Sequence, residues 1–103
     1  MEIECVEVAR LLKEKAVRLL DVRTAEEYSI SHIEGGELVD QALVDEILTT
    51  WPKDTEIVTM CHHGIRSLDA AAFLLSHGFL KVRSMRGGIA VWSDVVDPSV
   101  PRY

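Results

Sequence analysis

Apolar residues recur along this chain at two different spacings. Between Val6 and Lys15 they fall at Val8, Leu11 and Leu12 with charges between them, which predicts an amphipathic helix. Val17 to Val22 reads instead as a buried strand, and Glu56 to Met60 is a strand by the propensity of its β-branched residues. Glu37 to Val39 and Lys81 to Met85 are further strand candidates. Helical spacing returns in Leu43 to Thr50, ended by Trp51-Pro52, and in Ser67 to His77, ended by Gly78. Thr24, with Glu27 three residues on, fits a capping box that starts a short helix running to Ile30. Gly35-Gly36 marks a turn, Gly87-Gly88 leads into a last helical stretch around Trp92, and Asp97 to Tyr103 reads as an irregular tail. Strands alternating with helices are the signature of βα units around a parallel sheet, hence an α/β fold. There is no internal repeat and no low-complexity segment.

Composition narrows the classes of function. With 103 residues, 48% of them hydrophobic, residues 1–103 are expected to form one compact domain around one core. The longest apolar run, Ala70 to Leu75, is six residues. A bilayer span needs roughly 18 or more, so no membrane segment is expected. The acidic start Met1-Glu2-Ile3-Glu4 lacks the basic region and apolar segment of a secretory signal, which makes the cytoplasm the expected compartment. A formal net charge of -6 with scattered Lys and Arg argues against nucleic acid, so an anionic ligand must be attracted locally. Two cysteines, Cys5 and Cys61, are too few for a disulfide framework and are expected as free thiols.

The candidate chemistry lies in Cys61-His62-His63-Gly64-Ile65-Arg66-Ser67, set between the 56–60 strand and the 67–77 helix. A cysteine at a helix start meets unpaired backbone N–H groups and the positive end of the helix dipole, which favour its thiolate. Such settings lower a thiol pKa from about 8.5 to roughly 3.5–7.5. Arg66 is the nearest fixed cation. If residues 61–66 curl into a loop, their N–H groups form an anion nest around the sulfur, and Gly64 permits the close approach. The competing reading of Cys61 is an inert buried thiol, the commoner fate of a cysteine, but a core position does not call for the strand, Gly64, Arg66 and helix start that surround it. For Cys5 the inert reading prevails.

Adjacent His62 and His63 point in different directions, and no second Cys/His pair offers zinc-like spacing, so neither a metal nor another cofactor is expected. The two histidines are expected to line the mouth of the loop and to add positive character when protonated. His32, before a turn, and His77, in a last helical turn, read as structural.

Three motifs in order make the chain similar to the single-domain rhodanese family of sulfurtransferases. Leu20-Asp21-Val22-Arg23-Thr24-Ala25-Glu26-Glu27-Tyr28, followed by His32-Ile33-Glu34-Gly35-Gly36, resembles the amino-terminal signature of that family. Cys61 to Ser67 resembles its active-site loop, and Arg86-Gly87-Gly88-Ile89 with Trp92 its closing glycine-rich motif. Ser31, Glu34 and Gly36 stand where the family often has Gly, Pro and Ala, departures confined to a turn. The resemblance covers almost the whole chain and implies a central parallel sheet of about five strands flanked by helices.

It also implies a thiosulfate:cyanide sulfurtransferase-like activity. Cys61 would take the outer sulfur of a small anionic donor such as thiosulfate, hold it as a persulfide and pass it to cyanide or a thiol. His62, His63, Gly64, Ile65, Arg66 and Ser67 would form the substrate-binding loop, with Asp21 and Arg23 bracing it from below. The tail from Asp97 to Tyr103 resembles that of rhodanese modules fused to adenylyltransferases that charge sulfur carriers, so a sulfur-carrier or persulfide-donor protein is a candidate partner. Two alternatives stay open. Cysteine phosphatases and arsenate reductases carry a Cys-x5-Arg loop, whereas Cys61-x4-Arg66 is one residue shorter and better suits a sulfur atom. A non-catalytic rhodanese-like binding module is the other, against which an intact Cys61 and Arg66 speak.

Overall fold

A computed structural model describes residues 1–103 as five parallel strands and five helices. The strands are β1 (Glu2–Ile3), β2 (Arg18–Asp21), β3 (Gly36–Leu38), β4 (Glu56–Met60) and β5 (Lys81–Met85). The helices are α1 (Cys5–Lys13), α2 (Ala25–Ile30), α3 (Gln41–Thr50), α4 (Arg66–Ser76) and α5 (Gly88–Val95). Strand order is β1-β5-β4-β2-β3, and every neighbouring pair is parallel. The expected parallel α/β fold is thus found, and its fifth strand is β1, a two-residue element too short to show any period. Met1 and Ile3 carbonyls accept from the Ser84 and Arg86 N–H groups at 2.7 and 2.9 Å, which ties this strand to β5.

Both sheet faces are covered, and the strands alternate between them. Leu19, Val58 and Met85 enter a core with Val8 of α1 and Ile89 and Trp92 of α5. Leu20, Ile57 and Val82 enter the opposite core with Ile47 of α3 and Ala71 and Leu74 of α4. This is why β2 and β4 carry adjacent apolar pairs, Leu19-Leu20 and Ile57-Val58, rather than a strict alternation. No helix is long and apolar enough to cross a membrane.

Two helix ends lie two residues from where the sequence places them. Helix α1 stops at Lys13 rather than Lys15, because Lys15 adopts φ 54° and turns the chain back, its N–H meeting the Leu12 carbonyl. Helix α3 starts earlier than Leu43, since the Asp40 carboxylate accepts from the Leu43 N–H at 2.8 Å as its N-cap. The 97–103 tail has no regular structure but is packed: Val100 is buried in the α1–α5 core, and Tyr103 reaches back to α2.

Sheet topology selects the place for chemistry. From β2 the chain moves to β3 on one side, and from β4 it moves to β5 on the other, so the connections after β2 and β4 diverge. Ligands of open parallel sheets bind beyond the carboxyl ends of the strands at such a switch point. Asp21 to Thr24 and Cys61 to Ile65 are the two segments that meet there.

Candidate active site

Cys61 follows the last residue of β4, and α4 begins five residues later at Arg66. Its thiol is 1% exposed and sits inside the loop it opens. The Gly64 N–H donates to Sγ at 3.1 Å, and the Ser67 hydroxyl lies 3.4 Å away, accepting from the thiol or donating to the thiolate. Burial pushes the thiol pKa up, but the Ser67 hydroxyl and the N–H groups of Ser67, Gly64 and His63 outweigh it, and the net direction is downward. The loop therefore favours an anionic sulfur by converging dipoles.

Those dipoles are held from behind. Ser67 Oγ is 2.7 Å from the buried Ser84 Oγ on β5, and Thr59 Oγ1 donates to the Ser67 carbonyl at 2.7 Å. On the far side, the Ile89 and Ala90 N–H groups at the start of α5 donate to the Cys61 and His62 carbonyls at 2.9 and 3.1 Å. With its carbonyls drawn outward to α5, the loop turns its N–H groups inward. Gly88 makes this possible, because at its φ of +64° a Cβ would stand 2.4 Å from both of those carbonyl oxygens. Gly64 is constrained likewise, at φ +92° and with its Cβ position 3.0 Å from the Gly87 nitrogen.

Asp21 and Arg23 form a fully buried ion pair with an Nη2–Oδ2 distance of 2.7 Å. Arg23 also donates to the Ser31 carbonyl at 2.7 Å and to the Tyr103 hydroxyl at 2.9 Å. The pair thus fixes the segment after β2 and reaches the rim through Tyr103.

The seven loop residues do not all present side chains to the sulfur. Ile65 is 73% exposed and points to solvent, so only its backbone belongs to the loop. Adjacent His62 and His63 do not diverge as expected from the sequence; their rings stack, and His62 lies between His63 and Tyr103, with centroids 4.0 Å from each. Burial and the neighbouring His63 hold the His62 pKa below its usual value, which favours the neutral ring over the protonated one. Beside this wall lies a pocket of about 140 Å³ bounded by His62, His63, Ile89, Ser93 and Tyr103. Arg66 stands at the mouth, where both terminal nitrogens bond the Glu27 carboxylate at 2.7 and 2.9 Å.

Glu27 and Tyr103 are the residues that sequence reasoning left out of the site. The spacing from Thr24 identified Glu27 only as a capping residue, a role it does fill. Tyr103 gave no local signal at all. No cluster of three or more His, Cys, Asp or Glu side chains is arranged to hold a metal. Cys5 is buried against the Arg86 and Gly88 carbonyls, and burial pushes its thiol up to about 11. His32 stacks on Tyr28, and His77 Nδ1 lies 2.8 Å from the Phe73 carbonyl of its own helix.

Comparison with known proteins agrees with this geometry. Residues 4–95 match the rhodanese-like domain family. A thiosulfate sulfurtransferase GlpE of Pseudomonas paraeruginosa is 34% identical over 89 residues, covering 86% of this chain and 81% of the relative. A second GlpE, from Pseudoalteromonas translucida, is 31% identical over 100 residues, covering 97% and 95%. Among solved structures, a rhodanese-like domain protein of Staphylococcus aureus superposes with a TM-score of 0.78 at 26% identity, over 100% of this chain and 99% of that one.

Proposed function

This chain belongs to the rhodanese family and is a rhodanese-type sulfurtransferase, and on that premise we propose that it works through a persulfide on Cys61. The donor is a small anion such as thiosulfate and the acceptor a thiophile, cyanide or a thiol. In the first half-reaction the Cys61 thiolate attacks the outer sulfur of thiosulfate. A new S–S bond forms as the donor's S–S bond breaks, and sulfite leaves with the bonding electron pair. In the second half-reaction the acceptor attacks the outer persulfide sulfur, the Cys61 thiolate departs, and cyanide becomes thiocyanate. No proton, external oxidant or metal enters the balance.

The observation that carries this reading is the cradle on the sulfur: the Gly64 N–H donates to Sγ, the Ser67 hydroxyl lies within reach of it, and the loop carbonyls are drawn outward to α5. These donors favour the attacking thiolate and then the persulfide anion that takes its place. Preorganised dipoles of this kind, aimed at developing charge, usually make the largest single contribution to catalysis. Arg66 meets the sulfonate charge of the donor at the mouth, and the His62, His63 and Tyr103 rings form the wall of the approach. The same exposed rim suits delivery by a persulfide-donor protein or to a sulfur-carrier protein, with the cytoplasm as the compartment that keeps Cys61 reduced.

Steady-state thiocyanate production from thiosulfate and cyanide tests the assignment. Cys61→Ser is expected to lose turnover by a factor of about 1,000 or more while keeping the far-ultraviolet spectrum of the parent, because a hydroxyl is not ionised at neutral pH. Unchanged turnover in Cys61→Ser overturns the persulfide route.

A further inference from the structure

Arg66 is engaged before any donor arrives. Its two terminal nitrogens hold both oxygens of Glu27, a residue 39 positions earlier in the chain. The carboxylate is the anchored member of this pair. The Thr24 N–H donates to Glu27 Oε1 at 3.2 Å, and the Tyr103 hydroxyl donates to Oε2 at 2.8 Å. Tyr103 is itself fixed, accepting from Arg23 at 2.9 Å and stacking on His62. Side-chain exposure follows the same order, 19% for Glu27 and 46% for Arg66. A guanidinium that leaves this contact therefore swings away from a carboxylate that stays.

We propose that Glu27 is a specificity-determining residue that occupies Arg66 and so sets the site against doubly charged sulfur donors relative to singly charged ones. The inference rests on the reading of Arg66 as the group that meets the donor's charge. A donor must draw the guanidinium out of a two-pronged, charge-assisted contact, and it does so beside a carboxylate that repels it. The repulsion scales with donor charge at a given distance. Thiosulfate carries two charges, and methanethiosulfonate carries one on the same type of sulfane sulfur. Both react by the same balanced step: the Cys61 thiolate bonds the outer sulfur while sulfite, or methanesulfinate, departs with the electron pair of the broken S–S bond.

Glu27→Gln removes the charge at nearly the same size: its one amide oxygen can keep the Thr24 contact, and its amide nitrogen can donate to the Tyr103 hydroxyl in place of the bond Tyr103 gives to the carboxylate. With cyanide as acceptor, KM for thiosulfate is expected to fall about fivefold and KM for methanethiosulfonate about twofold, so the ratio of the two shifts toward the dianion. A merely structural role would move both donors together. Equal shifts, or none, overturn the inference. Arg66→Gln, measured with the same two donors, is expected to raise the thiosulfate KM more than the methanethiosulfonate KM. If Arg66→Gln leaves both KM values unchanged, the reading of Arg66 itself fails. If Arg66→Gln behaves as expected while Glu27→Gln leaves the ratio unmoved, Arg66 keeps its role and the Glu27 inference alone is overturned.

Discussion

Two thiols in one small protein are shifted in opposite directions by their neighbours. Cys61 accepts hydrogen bonds from amides and a hydroxyl, so its pKa lies below the usual thiol value. Cys5 lies in the apolar core against two carbonyl oxygens, and burial pushes it up to about 11. Iodoacetamide should therefore alkylate Cys61 with a pH midpoint below the ordinary thiol value, while Cys5 stays unmodified in the folded protein at neutral pH. Removing one donor with Ser67→Ala should move the Cys61 midpoint upward, a shift read from alkylation rates across pH. A midpoint that does not move would place the stabilisation entirely in the backbone. At this scale the sequence was readable for Cys61, because strand, glycine and helix start are neighbours along the chain. It was not readable for Glu27 or Tyr103, whose partners lie 39 and 76 positions away.

Helix α2 shows how an element serves the site without burying any residue of its own. It is six residues long, too short to persist on propensity alone, and its start depends on the reciprocal hydrogen bonds between Thr24 and Glu27. Thr24→Ala should cost about 1 kcal/mol in denaturant unfolding, the usual cost of a lost N-cap. It should also loosen Glu27, and so raise the pH and salt sensitivity of thiosulfate turnover. The alternating strands and helices were legible because burial on both faces puts adjacent apolar pairs, Leu19-Leu20 and Ile57-Val58, inside β2 and β4. What the period could not give was β1, whose two residues have no period, or the end of α1, where Lys15 takes a left-handed conformation usually left to glycine.

On the scale of the molecule, three sequence motifs far apart in the chain turn out to be one construction. The loop after β2 supplies the buried Asp21–Arg23 pair, the loop after β4 supplies Cys61, the proposed nucleophile, and the Gly87-Gly88 turn into α5 draws the loop carbonyls outward. Gly88→Ala tests that last link. Its Cβ would collide with the Cys61 and His62 carbonyls, so about 2 kcal/mol or more of stability and most of the thiocyanate production should be lost together. The tail, whose structure the sequence marks as irregular, completes the rim through Tyr103, with Val100 packed into the α1–α5 core. The persulfide itself is open to direct observation by intact mass and peptide mapping of protein incubated with thiosulfate and then with cyanide. One sulfur atom added at Cys61 and removed by cyanide is the predicted result; no added sulfur, or sulfur carried on Cys5, would contradict the account.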